Sequence, residues 1–168
     1  MKIKYFFTLL LLFLSLLAKS QDKKSILKNQ AQEMSQASIN GNYDLVLKYT
    51  YPKIVEEFGG SENFIAEINK AMGNLKTEGT QIEKVEIGES GDFFKAGDEL
   101  HSILNEKITL NTKKGRFLID SYLLAISSDN GQNWFFIDCN IGKDFILSFL
   151  PNFNNELIIP EINKPIRI

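Results

Sequence analysis

Apolar residues recur at helical spacing through the first half of the chain. The spacing predicts helices in four segments, residues 25–40, 42–49, 53–58 and 61–76. Ser61 is the expected N-cap of the last segment, and Gly79 is its expected end. The buried face of that helix is predicted to be a stripe of Phe64, Ile65, Ile68, Ala71, Met72 and Leu75.

After Gly79 the periodicity changes to the alternation of β-strands. Strands are predicted over residues 81–87, 93–94, 99–110 and 116–127, with a return strand at 134–139. Ile82 breaks the alternation of the first strand, which suggests a β-bulge. Asn130–Gly131 predicts a two-residue type I′ turn between the last two strands. A helix over residues 143–150 and an extended strap over 152–168 complete the pattern.

The predicted turn determines which residues of the hairpin share a face. One face is predicted to hold Leu123, Ala125, Ser127, Trp134, Phe136 and Asp138. The opposite face is predicted to hold Tyr122, Leu124, Ile126, Phe135, Ile137 and Cys139. Both faces are apolar near the turn, so the pattern does not tell which one is concave.

Helices followed by an antiparallel meander are the order of an α+β fold. We therefore predict N-terminal helices that pack on one face of an antiparallel sheet of about four strands. The length after residue 20 suits one domain, over residues 21–168, with its extended C-terminal strap.

The N-terminus has the pattern of a signal peptide over residues 1–20. Lys2 and Lys4 precede an apolar run at 5–17, and Ala18-Lys19-Ser20 is a cleavage site of small residues. The mature protein is therefore expected to begin at Gln21 and to be exported to a periplasmic or extracellular location. The apolar run is short for a membrane span, so no stable membrane anchor is expected.

Charge and cysteine content exclude several classes of protein. Loss of residues 1–20 removes three of the 19 Lys and Arg residues and no acid, which leaves 16 basic against 21 acidic residues and a net charge of −5. Such a chain does not look like a nucleic-acid binder. Cys139 is the only cysteine, so no intrachain disulfide can form, and a buried inert thiol is expected. One histidine and one cysteine cannot build a common zinc site, and no phosphate-binding loop is present, so neither a metal nor a cofactor is expected.

Residues 127–134 read S-S-D-N-G-Q-N-W and resemble the Asp-box, S-x-D-x-G-x-T-W, with Asn133 in the Thr position. The resemblance implies a structural turn in which Asp129 accepts backbone hydrogen bonds, Gly131 allows the turn and Trp134 packs beneath it. The tendency of Asp to form Asx-turns predicts the same role for Asp129. The chain has a single copy and is too short for a propeller, so a structural role is favoured over a sugar-processing one.

The order of motifs in the helical half resembles a known superfamily. Asn40-Gly41-Asn42-Tyr43-Asp44 is followed by Tyr51-Pro52 and then by a strand-rich half, which is similar to the NTF2-like (cystatin-like) α+β cone. Residues 49–55 and 150–154 are also similar to exported proteins of bacteroidete-type bacteria. The resemblance implies a curved sheet with a pocket between its concave face and the helices. It implies no single activity, because the superfamily includes isomerases, dehydratases, immunity proteins and binding modules.

Few residues could carry chemistry in such a pocket. His101 is the only histidine, and with Asp120 or Asp138 it could form a dyad for proton abstraction. In the alternative, structural interpretation, His101 is a half-exposed strand residue and Asp120 faces solvent. Asp138 then only forms hydrogen bonds at the end of its strand. The candidates for lining a ligand pocket are Tyr49, Tyr51 and Tyr122. Buried tyrosines more commonly anchor the core with their rings, so core packing is the role expected of them in the absence of a pocket.

These observations favour an exported non-catalytic protein that binds a small molecule or another protein. A small lyase or isomerase with a His/Asp pocket is the first alternative. A protein-interaction or inhibitor module that uses the sheet face is the second, and a homodimer through the sheet stays open. The identity of the ligand or partner does not follow from the sequence.

Overall fold

The computed structural model of the protein describes residues 22–161 and 163–168. The predicted signal peptide, residues 1–20, and the predicted cleavage between Ser20 and Gln21 lie outside the described residues.

The helices predicted in the first half, and the one near the C-terminus, are confirmed. They are α1 over residues 22–39, α2 Tyr43–Tyr49, α3 Pro52–Glu57, α4 Ser61–Glu78 and α5 Lys143–Phe149. Asn42 caps α2 by accepting a hydrogen bond from the Leu45 backbone N–H. The N-cap prediction for α4 was wrong, because Gly60 takes that position with φ 100° and Ser61 is already helical. Gly79 ends α4 in the left-handed conformation, as predicted.

The described residues of the second half form an antiparallel sheet of six strands. They are β1 Gln81–Ser90, β2 Phe94–Ala96, β3 Glu99–Thr112, β4 Gly115–Ser127, β5 Phe135–Asp138 and β6 Ile166–Arg167. The main path runs β1-β3-β4-β5, while β2 pairs with β3 and β6 pairs with β4. The sheet thus has more strands than the predicted four or so, because the short segments β2 and β6 also pair. A register shift between Ile82 and Lys84 supplies the irregularity predicted in β1.

The hairpin of β4 and β5 has the predicted register but a longer connection. Leu123 lies opposite Asp138, and Ile126 lies opposite Phe135. The strands separate beyond that pair, so the return strand begins at Phe135 and Trp134 belongs to the connection. Asn130 and Gly131 have positive φ, 62° and 91°, as a type I′ turn would require, but they lie within a wider loop.

Both faces of the sheet are covered, whereas the sequence predicted helices on one face only. On the inner face, Leu27 and Ala31 of α1 and Tyr49 of α2 pack against Leu123 and Phe136. On the outer face, the sheet residues pack against α5 and the strap, through Ile146, Leu150, Leu157 and Ile159. The strap contributes because Leu157 and Ile159 point inward while Ile158 between them is exposed.

Candidate ligand-binding cavity

A cavity of about 350 Å³, partly open to solvent, lies between the inner face of the sheet and the helices. Helices α1, α2, α3 and α4 and strands β1, β3, β4 and β5 contribute to its wall. Most of the lining side chains are apolar, including Met34, Ile39, Val46, Ile54, Phe58, Phe64, Ile68, Ile82, Val85, Ile108, Leu123, Phe136, Ile137 and Ile141. We call this space the inner cavity.

Helix α4 forms one wall of the inner cavity without a buried residue of its own. Its apolar stripe is only half-buried, and Phe64 and Ile68 of that stripe line the cavity. The predicted buried face of α4 is therefore only partly buried, and Ala71 is exposed. The helix packs on α2 and α3, and the cavity occupies the space between it and the sheet. An 18-residue amphipathic helix that does not close onto the sheet leaves apolar surface for another molecule to cover.

The polar part of the inner cavity consists chiefly of Glu106, Asp138 and Ser35. Glu106 lies on β3 between the inward residues Leu104 and Ile108, and only 7% of its surface is exposed. The Ser35 hydroxyl on α1 donates a hydrogen bond to Glu106 Oε1 over 3.1 Å. The described lining contains no Lys, Arg or His side chain to neutralise the carboxylates.

The surroundings of Glu106 change its protonation. Desolvation, and after it the charge of Asp138, raise the pKa of Glu106 to about 7. The hydrogen bond from Ser35 favours the ionised form and opposes this rise, but it is the smallest of the three effects. The carboxyl group therefore exchanges its proton near neutral pH, unlike an exposed glutamate.

Asp138 is held where β5 ends. It accepts hydrogen bonds from the backbone N–H of Asn140 (2.8 Å) and from Asn140 Nδ2 (2.7 Å), and so caps the short 3₁₀ helix Cys139–Ile141. Asn140 Nδ2 also donates to the buried Ser121 Oγ over 2.9 Å. Part of the Asp138 surface is exposed to solvent. The protein atoms around its carboxyl group nevertheless desolvate that group, and this raises the pKa of Asp138. Asp138 therefore lies at the rim of the cavity and Glu106 lies deeper.

The structure does not bring His101 to either of the carboxylates considered from the sequence. His101 is 1% exposed rather than half-exposed, and its Nε2 lies 3.1 Å from Glu99 Oε2. It lies opposite Ile126 on β4, and Asp120 is six residues further along that strand, roughly 20 Å at strand spacing. Asp138 belongs to the inner face, whereas the His101 ring lies against the Phe153 ring on the outer face, with centroids 5.8 Å apart.

The three tyrosines considered as pocket residues do not line the inner cavity. Tyr49 is buried and its hydroxyl donates to Glu33. Tyr51 lies beside Glu99 at the outer face, where desolvation and then the charge of Glu99 raise the pKa of its hydroxyl. Tyr122 packs against the core of the outer face. The sequence analysis did not identify Glu106 as a candidate site residue. Its position on a predicted strand, in the same alternation as the apolar residues Leu104 and Ile108, indicates an inward-facing carboxylate.

The Asp-box segment forms a loop held by one carboxylate. Asp129 Oδ1 accepts the backbone N–H groups of Gln132 (3.0 Å) and Asn133 (2.9 Å), and it also accepts the Ser127 hydroxyl (2.8 Å). The Trp134 ring is 1% exposed, stacks on Phe93 and donates its indole N–H to the Gly131 carbonyl. A side chain at Gly131 would meet Trp134 and Lys23 at 3.3 Å or less, so glycine suits this position.

Comparison with known proteins adds no assignment to this geometry. Neither a protein-family model, nor a curated protein, nor a solved structure matches the chain. Among residues 22–161 and 163–168, no helix combines the length and apolar composition that a membrane span requires. In the same ranges, no three or more His, Cys, Asp or Glu side chains come together as a metal site.

Proposed function

We propose that this chain is an exported, non-catalytic protein of the NTF2-like type that binds a small apolar molecule in the inner cavity. The observation that carries the proposal is the cavity itself, about 350 Å³ and mainly apolar. Small-molecule sites have volumes of this order, with mostly apolar walls and a few polar groups that orient the ligand. The half-buried stripe of α4 supports the same function, because a ligand would cover it.

The order of elements supports the NTF2-like part of the proposal. Four helices precede the sheet in the described chain, and the inner cavity lies between those helices and the sheet. In the proposed cone, the path β1-β3-β4-β5 would be the curved sheet of about four strands, with β2 and β6 as additions. An experimental structure with a measured sheet curvature would test this assignment.

Binding can be tested with the neutral fluorophore N-phenyl-1-naphthylamine and the chain from residue 21. The fluorescence of the probe should rise as it enters the apolar cavity, and Ile68→Trp should abolish the rise by filling the space. Ile65→Trp is the matched control, since Ile65 lies on the same helix but is not among the residues that line the cavity. Absence of binding, or equal binding by the folded Ile68→Trp variant, would contradict the proposal.

A small lyase or isomerase is the second candidate function, and one observation favours it. A buried carboxylate whose pKa is raised to about 7 can act as a general base near neutral pH. Glu106 is that carboxylate, whereas His101 lies on the other face of the sheet. Deuterium exchange at the α-carbon of an apolar ketone, followed by NMR, should then be accelerated by the wild type and not by Glu106→Gln. Equal exchange with and without protein favours the binding function.

A further inference from the structure

The inner cavity carries negatively charged groups in its lining, and binding of a purely apolar ligand does not explain them. Two carboxylates, Glu106 and Asp138, lie in a mainly apolar wall, and no described lining residue is basic. Glu106 is more than nine-tenths buried, and only its Oε1 has a hydrogen-bond donor, Ser35, among the described residues. Oε2 is not among the fully buried atoms that lack a partner, so it keeps accessible surface, where a donor from a ligand can reach it.

We infer that the ligand is an apolar amine, whose ammonium group binds between Glu106 and Asp138 and whose hydrocarbon part lies beneath α4. This inference rests on the proposed binding function and specifies the class of ligand. It concerns the same inner cavity, and it gives the two carboxylates a role in recognition.

The physical reason is the cost of a buried carboxylate. An ionised carboxylate that has lost most of its water is stabilised by an opposite charge or by several donors, and among the described residues Glu106 has one serine hydroxyl. An ammonium group would supply both the charge and N–H donors, through bonds stronger than those between neutral groups. A carboxylate ligand would be repelled by the same pair, and an alcohol would gain at most a neutral hydrogen bond.

The shape of the surface next to the inner cavity suits a hydrocarbon chain. A second depression of about 410 Å³ lies beneath the far end of α4, and its lining shares Ile39 and Ile82 with the inner cavity. Met72 and Leu75 of α4 supply apolar side chains there, and the remaining lining includes polar ones such as Asn69, Lys76 and Gln81. A chain that starts at Glu106 could therefore extend along the apolar stripe of the helix.

The groups that face Glu106 make amine binding depend on pH. Among the described groups, Asp138 is the charged one that acts on Glu106. The Cys139 thiol belongs to the outer-face core, and burial raises its pKa to about 12, so it stays neutral. The neighbouring elements α1, β1 and β4 present the uncharged side chains of Ser35, Val85, Ile87, Ser121 and Leu123. Binding of an ammonium group requires the ionised acid, so the affinity should improve about tenfold per pH unit up to about pH 7 and level off above it.

The test compares octylamine, octan-1-ol and octanoate, measured by calorimetry and by displacement of N-phenyl-1-naphthylamine. At pH 8 the wild type should bind octylamine at least about tenfold more tightly than octan-1-ol, a difference of about 1.4 kcal/mol. Glu106→Gln should weaken octylamine binding about tenfold or more and so bring the two affinities close together, with a smaller effect on octan-1-ol. Glu86→Gln is the matched control, because Glu86 lies on β1 next to Ile87 but is exposed.

The outcomes distinguish a failure of the amine inference from a failure of the proposed binding function. If octan-1-ol binds as tightly as octylamine, or octanoate binds best, the amine inference is overturned and the binding function stands. If Glu106→Gln keeps the preference for the amine, the inference is equally overturned. If none of the three compounds nor the probe binds, both fail. Asp138→Asn, which can still cap the 3₁₀ helix, gives a second variant and should weaken octylamine binding selectively.

Discussion

Replacing Glu106 by glutamine should stabilise the protein at pH 8 and leave its stability nearly unchanged at pH 4. Glutamine has the same shape and can still accept the hydrogen bond from Ser35. It has no charge to desolvate and no repulsion with Asp138, which are the two causes that raise the pKa of Glu106. The substitution therefore removes the electrostatic cost and retains the packing.

The size and sign of the effect follow from the linkage between protonation and folding. Below its ordinary pKa of 4.5, the Glu106 carboxyl is protonated in both the folded and the unfolded states. As the pH rises towards 7, the unfolded state ionises first, so the wild type loses stability, and the loss is complete above about pH 7. A rise in pKa from 4.5 to about 7 corresponds to about 3 kcal/mol at about 1.4 kcal/mol per pKa unit.

Urea unfolding of wild type and Glu106→Gln at pH 4, 6 and 8 measures this difference, with far-UV circular dichroism as the signal. The difference between the two proteins should grow from near zero to about 3 kcal/mol in favour of the variant. Glu86→Gln, in an exposed position of β1, should show no such growth. A pH-independent difference, or a variant less stable than wild type at pH 8, would refute the reasoning.

Four further predictions concern the loop, the outer face and the N-terminus. Trp134→Ala should cost roughly 3–5 kcal/mol in unfolding free energy, since the ring is fully buried; wild-type emission near that of free indole in water would contradict this. Asp129→Ala should cost roughly 1–2 kcal/mol of unfolding free energy at neutral pH. Desolvation alone would raise the pKa of Asp129, but the loop hydrogen bonds outweigh it and lower that pKa, so the loss of stability should be smaller at acid pH. A change in stability within error would refute the role of the carboxylate. A half-exposed His101, the alternative that the sequence left open, would tolerate replacement by glutamine, but the ring is buried on the outer face. For His101→Gln, calorimetry should therefore find ligand binding unchanged, and urea unfolding should find a loss of roughly 1–3 kcal/mol. Mass spectrometry of the exported protein should find an N-terminus at Gln21, with or without cyclisation to pyroglutamate, and a retained Met1 in the membrane fraction would contradict export.

The elements of secondary structure could be predicted because their signals are local. Leu27, Ala31 and Met34 lie one helical turn apart, and the alternation along residues 116–127 is that of a strand, so each element was visible in its own residues. The register of the hairpin could be predicted for the same reason. The loop length could not, because Asp129 bonds to residues beyond Gly131 and holds a wider loop than two residues.

The candidate site was decided by tertiary structure. Glu106 and Asp138 lie on strands that β4 separates, so no spacing in the sequence brings them together. The burial of His101 likewise depends on Phe153 from the distant strap. Local patterns report backbone hydrogen bonding and the amphipathic character of one element. A cavity and the pKa values within it depend on how several elements desolvate the same groups, which is a property of their packing.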